Sequence, residues 1–153
     1  MELLREVADS VGERPVDTLR GDLDAVHEFL TQDFIPYVRS REEVVHPAVA
    51  RALGIADVSS GDDAAPFVRS TEELAALRYQ LAGLAVAEPQ AKALRRVLYG
   101  LYALATAYLE KEARALLPIV EVSLSPEEAE RLVEDVARAR RAARRPTATP
   151  HPP

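Results

Sequence analysis

From Val16 to Ala48 the apolar positions Leu19, Leu23, Val26, Leu30, Phe34, Tyr37 and Val44 fall at steps of three and four, with Arg41 on the same stripe and Gly54 beyond as a C-cap. This spacing predicts one long amphipathic helix and leaves no room for a strand, whose side chains would alternate with period two. Pro36 and Pro47 lie inside the stripe. Each removes a backbone hydrogen bond, so bends rather than helix ends are expected there.

The rest of the chain carries the same period. Leu3, Leu4, Val7, Ala8 and Val11 mark a short first helix that Gly12 and the Glu13-Arg14-Pro15 turn bring to an end. Residues 55–69, with Ser59-Ser60-Gly61-Asp62-Asp63 in the middle, have no period and read as a mobile surface loop. Ser70-Thr71-Glu72-Glu73 reads as a capping box opening a third helix with the stripe Leu74, Leu77, Arg78, Leu81, Leu84. A fourth helix begins after Pro89 and runs through Leu94, Val97, Leu98, Leu101, Leu104, Ala105, Tyr108, Glu112, Ala115 and Leu116, to bend or stop at Pro118. Ser125-Pro126-Glu127-Glu128 caps a fifth, with Leu132, Val133 and Val136 on its apolar side. Four prolines in residues 146–153 make 145–153 a disordered tail. The expected fold is all-α: one domain over 1–144, an antiparallel four-helix up-and-down bundle with an additional C-terminal helix.

Composition narrows the function classes. A chain that is 48% hydrophobic but 5% aromatic builds its core from Leu, Val and Ala. It has no cysteine, which excludes disulfides, iron–sulfur clusters and thiolate zinc sites. No apolar run approaches the roughly 20 residues of a membrane span, and residues 1–14 lack the pattern of a signal peptide, so a cytoplasmic protein is expected. A net charge of −6 argues against nucleic acid as the main partner, although Arg138, Arg140, Arg141, Arg144 and Arg145 invert the sign locally at a solvated helix end.

Two segments repeat one spacing: Tyr37 is followed by Arg41 after four residues and Pro47 after ten, and Tyr108 by Glu112 and Pro118 at the same intervals. The stripes place all four polar residues at inward positions otherwise held by Leu or Val. Burying a lone guanidinium or carboxylate costs several kcal/mol. Arg41 and Glu112 therefore either pair with each other, reach partners such as Arg78, or turn out to solvent where the prolines shift the helical phase. Of the three histidines, His27 adjoins the stripe as a boundary residue, His46 reads as a partly exposed packing residue before a proline, and His151 sits in the tail.

These residues resemble a known family. Arg95-Arg96-Val97-Leu98-Tyr99-Gly100-Leu101-Tyr102-Ala103-Leu104, followed by Tyr108-Leu109-Glu110-Lys111-Glu112 and Leu116-Leu117-Pro118, is similar to the last core helix of the hemerythrin-like (HHE cation-binding) proteins of bacteria. Phe29-Leu30, Ile35-Pro36-Tyr37, Glu42-Glu43 and Pro47-Ala48-Val49 resemble that family's second helix, and Glu73-Leu74-Ala75-Ala76-Leu77-Arg78 its third. The resemblance implies a bundle that, in metal-binding members, holds two irons through histidines and bridging carboxylates. Its ligand positions fall on Ala8, on Tyr37 and Arg41, on Leu74, and on Tyr108 and Glu112. Only the Glu112 carboxylate survives, and a cation stands where a bridging carboxylate belongs.

A di-iron centre needs about five imidazoles or equivalent donors and two anions, so no metal cofactor is expected. The one alternative is a single iron held by Tyr37, Tyr108 and Glu112. The expected site is a cluster of Tyr37, Arg41, Tyr108 and Glu112, with Ala8, Leu74 and Arg78 around it, either plugging the former pocket or lining a small cavity. The leading expectation is a binding or regulatory module for an unidentified small molecule or protein rather than an enzyme. A cofactor-independent enzyme using Tyr37 or Tyr108 as general acid beside Arg41 is the second. The oligomeric state is open, with a homodimer through the first or fifth helix among the options.

Overall fold

The computed structural model describes all residues except 57, 59, 60, 82–84 and 145–153. Among the described residues there is helix and no strand, and no helix is long and apolar enough to cross a membrane. The Pro-rich tail, Ser59, Ser60 and Leu84 lie outside the described residues.

The chain opens with α1 (Glu2–Ser10), which buries Leu4, Val7 and Ala8. Gly12 takes the left-handed conformation at φ 87° in the turn that follows, where the Val11 carbonyl accepts a hydrogen bond from Arg95. The long periodic segment forms α2 (Val16–Phe29), α3 (Ile35–Ser40) and α4 (His46–Leu53), separated by π-helical turns at Leu30–Phe34 and Arg41–Val45. Gly54 ends it with φ 66°, a left-handed cap. The fourth periodic segment is α6 (Glu88–Lys111), a third π turn (Glu112–Leu116) and α7 (Leu117–Ser123). It does not stop at Pro118.

The three π turns share one cause. Ile35, His46 and Leu117, the residues just before Pro36, Pro47 and Pro118, donate their backbone N–H to the carbonyl five residues back, on Leu30, Arg41 and Glu112. A proline cannot donate to the carbonyl four residues back and its ring collides with it; widening the preceding turn moves that carbonyl aside. Each widening inserts one residue into the period. Around and beyond the second π turn Val45 and Val49 are almost fully buried, beside Ala48 of the expected stripe, while Val44 is only half-buried. In α6 the expected stripe is buried at Leu101, Ala105 and Tyr108, while Leu104 at its edge is exposed.

The third helix departs from its expected start. α5 (Ala65–Tyr79) begins five residues before Ser70, so Ser70-Thr71-Glu72-Glu73 lies inside it and forms no capping box. Pro66 presets its first turn. The Asp62 carboxylate accepts from the Ala65 amide at 2.8 Å, and the Glu42 carboxylate accepts from the amides of Asp63 and Ala64. Asp62 thus caps the first helical amide locally, while Glu42, 21 residues before Asp63 in sequence, anchors the turn that leads into α5. Glu73 instead pairs with Arg96 at the surface. By contrast, α8 (Pro126–Ala143) has the expected capping box: Ser125 and Glu128 exchange side-chain and backbone hydrogen bonds.

α1 packs against α2 and α6, α5 packs against the same two helices, and α8 lies along α3 and the second π turn. α4 packs beside α7. The main core holds residues from α1, α2, α3, α5 and α6, and a small second cluster of Val45, Val49 and Leu116 lies further along the α4–α7 seam.

Candidate functional site

Between those two apolar clusters lies a buried polar layer. Tyr37 of α3 and Tyr108 of α6 meet edge to face with ring centres 6.4 Å apart. One turn on, Arg41 Nε lies 2.5 Å from Glu112 Oε2. The Arg41 guanidinium also rests 5.7 Å from the centre of the Tyr37 ring, within cation–π reach. Phe34 and Phe67 pack edge-on against Tyr108 and close the layer on the core side.

Arg41 and Glu112 hold equivalent places: each is the first residue of a π turn that ends just ahead of a proline. The repeated spacing of Tyr, charge and Pro in the sequence is thus the local signature of two matching π turns facing each other. π turns of this kind recur at functional sites because the extra residue re-aims side chains.

The site also contains a residue that the sequence assigned elsewhere. His46, expected to be partly exposed, is 1% exposed, and its Nε2 lies 3.6 Å from Glu112 Oε1. In a regular α-helix, five residues turn the side chain about 140° from its starting direction. The π turn makes five residues close to one full revolution, and His46 comes to stand over Arg41, its own N–H bonded to the Arg41 carbonyl. The signal available in the sequence was Pro47 six residues after Arg41. Arg78 is the opposite case: it pairs with Asp24 at 2.5 Å on the α2–α5 surface and takes no part in the cluster. Ala8 and Leu74 are buried in the main core. His27 is half-buried in α2, a boundary residue.

Electrostatically the layer is organised around Glu112, which is 2% exposed. Burial pushes its carboxyl upward, but His46 and Arg41 together outweigh burial and hold it below the usual carboxylate range. Burial raises the Tyr108 phenol strongly, with the Glu112 charge adding to the effect. Burial also raises Tyr37, against the lowering influence of Arg41. Both phenols therefore keep their protons through neutral pH. The Tyr108 hydroxyl, Glu112 Oε1 and both ring nitrogens of His46 are buried with no hydrogen-bond partner among the described residues.

As a metal site the donor set does not fit. Among the described residues no group of three or more His, Asp or Glu side chains is placed to hold an ion. Glu112 and His46 offer two donors, but the guanidinium of Arg41 occupies one carboxylate oxygen, and the two phenols hold their protons. A guanidinium at this distance repels a divalent cation by a few kcal/mol even with realistic screening.

A groove of about 430 Å³ borders the cluster, lined by Asp63, Phe67, Leu104, Tyr108 and Lys111. Lys111, adjacent to Glu112, pairs with Asp63 at 3.0 Å across it. Two further grooves of about 400 and 390 Å³ lie where α8 faces α4 and the second π turn. Tyr37, Arg41, His46 and Glu112 line none of these three grooves.

No protein-family model, curated protein sequence or solved structure matches the chain.

Proposed function

We propose that this protein is a metal-free helical module that binds a small molecule or a protein, built on the antiparallel four-helix up-and-down plan of the hemerythrin-like proteins with α8 added. The pairwise packing of α1 and α5, each against both α2 and α6, supports that plan. So does the likeness of the Tyr37–Pro47 and Tyr108–Pro118 segments to that family's second and last core helices.

One observation carries the reading: the Arg41 guanidinium sits on Glu112, the one carboxylate left at the positions where metal-binding relatives would hold iron. A protein cation takes the place of the metal cation, and the two tyrosines fill the remaining width. Binding is then a matter for the outer grooves, of which the one lined by Tyr108, Phe67 and Leu104 lies against the cluster. Its apolar floor and single Lys111–Asp63 rim suit a compact, largely apolar molecule.

Elemental analysis and visible absorption test the proposal on protein incubated with ferrous and zinc salts and then desalted. The expected product is colourless, with metal far below one equivalent. Stoichiometric metal, or a phenolate-to-iron band, would overturn it.

A further inference from the structure

We infer that α8 is a self-association surface, on which a second copy of this chain docks with its own α8 antiparallel to the first. Three independent observations converge on it.

The first is incomplete burial. α8 spans 18 residues and fully buries Ala139 alone, while the neighbouring α7 buries none of its seven. Helices normally owe their stability to a buried apolar face. On α8 the half-buried stripe of Ala129, Leu132, Val136 and Ala143 already faces the chain's own body. A second stripe, Glu130, Val133, Ala137 and Arg141, runs along its flank, and its Val133 is 69% exposed.

The second is charge segregation along the axis. Glu127, Glu128, Glu130, Glu134 and Asp135, with Arg131 among them, make the first half of α8 net acidic, whereas Arg138, Arg140, Arg141 and the capping Arg144 make its end basic. Acidic residues in the first turn and basic ones in the last suit the helix macrodipole. That effect fades within one turn, yet Glu130, Glu134 and Arg138 occupy middle turns. Asp135 is bridged to Arg138 at 2.8 Å within the helix, and on the exposed flank Glu130 and Glu134 keep one end acidic while Arg138 and Arg141 keep the other basic.

The third is register. Read backwards, the flank stripe becomes Arg141, Ala137, Val133, Glu130, which is the same stripe with its charges exchanged. A two-fold axis near the middle of α8 sets Val133 against the partner's Ala137 and Glu130 against the partner's Arg141, twice over. An isologous contact requires this kind of self-complementarity. Arg140 and Arg144 are committed to Asp33 within the chain, which leaves Arg141, exposed, for the contact.

One helix pair is a small interface, so a dimer that dissociates on dilution is expected. The test is the solution mass by sedimentation equilibrium, from micromolar to millimolar protein, for the native chain, for Glu130→Arg, for Arg141→Glu and for the double variant. Each single change sets like charges across the axis and should weaken dimerisation about tenfold. The double variant exchanges both charges and should dimerise like the native chain, as should an equimolar mixture of the two single variants. Circular dichroism checks that each remains helical, and the double variant tests the contact even if one single variant folds poorly. A native chain that stays monomeric throughout, single variants that dimerise unchanged, or a double variant that remains monomeric would each overturn the inference.

Discussion

Arg41 Nε lies 2.5 Å from Glu112 Oε2, and each of the two residues opens a π turn in its own helix. The Arg41 side chain is 12% exposed and that of Glu112 3%. Such a pair contributes little relative to a well-packed apolar pair, but stranding either partner is expensive. Arg41→Leu should therefore cost about 3–5 kcal/mol, because it leaves the Glu112 carboxylate unpaired. The Arg41→Leu, Glu112→Leu double variant should fall within about 1–2 kcal/mol of the native chain. Urea denaturation of the four members of this cycle measures the coupling. Equal stability of all four would show that no buried pair exists.

The second neighbour of Glu112 sets a pH dependence. The folded carboxyl is held below its ordinary value, so its contribution to stability is present above the ordinary carboxylate range and is lost as pH falls through the depressed folded value. His46→Leu removes one of the two groups responsible. Acid unfolding should then begin at higher pH than in the native chain, and the Glu112 carboxyl followed by NMR should titrate at higher pH. An unchanged acid limb would mean that Arg41 alone governs Glu112.

Tyr108 offers the opposite sign. Its phenol is raised, so the fold's contribution from this group is full below the ordinary phenol value and declines as pH rises beyond it. Its hydroxyl is buried without a partner among the described residues. Tyr108→Phe should leave stability unchanged or raise it by up to about 1 kcal/mol at neutral pH, and should blunt alkaline unfolding. A loss of stability at neutral pH would reveal a hydrogen bond that the hydroxyl makes.

Glu42 ties the start of α5 to the second π turn through the amides of Asp63 and Ala64. Glu42→Ala should cost about 1–2 kcal/mol, the usual net worth of backbone hydrogen bonds to a partly buried carboxylate. Hydrogen exchange should quicken at those two amides while the centre of α6 stays protected. Uniform exchange changes across the chain would contradict a local tie.

The sequence period made the helices legible, since Leu19, Leu23, Val26 and Leu30 occupy the buried face it predicts. The meeting of Tyr37, Arg41, Tyr108 and Glu112 was legible for the same reason: each pair is spaced four apart on an inward stripe, and the structure brings the four together. His46 was not, because its placement depends on an inserted residue that a constant 100° step cannot represent. The start of α5 was hidden for a different reason. The acceptor of its first amide, Asp62, lies in the aperiodic stretch that reads as loop, and the turn before it is held by the distant Glu42, whereas Ser70-Thr71-Glu72-Glu73 matches the local capping pattern from inside the helix.

The paired π turns make the two helices dependent on each other's length. Deleting one residue from Arg41–Val45 would convert that turn to ordinary α-helix and rotate α4 by about 100° relative to α3. His46 would swing away from Glu112, and Val45 and Val49 would leave the small cluster they form with Leu116. The same deletion in Glu112–Leu116 would rotate α7 instead. This seam therefore tolerates changes of side chain far more readily than changes of residue count, and the prolines at 36, 47 and 118 act as its length markers.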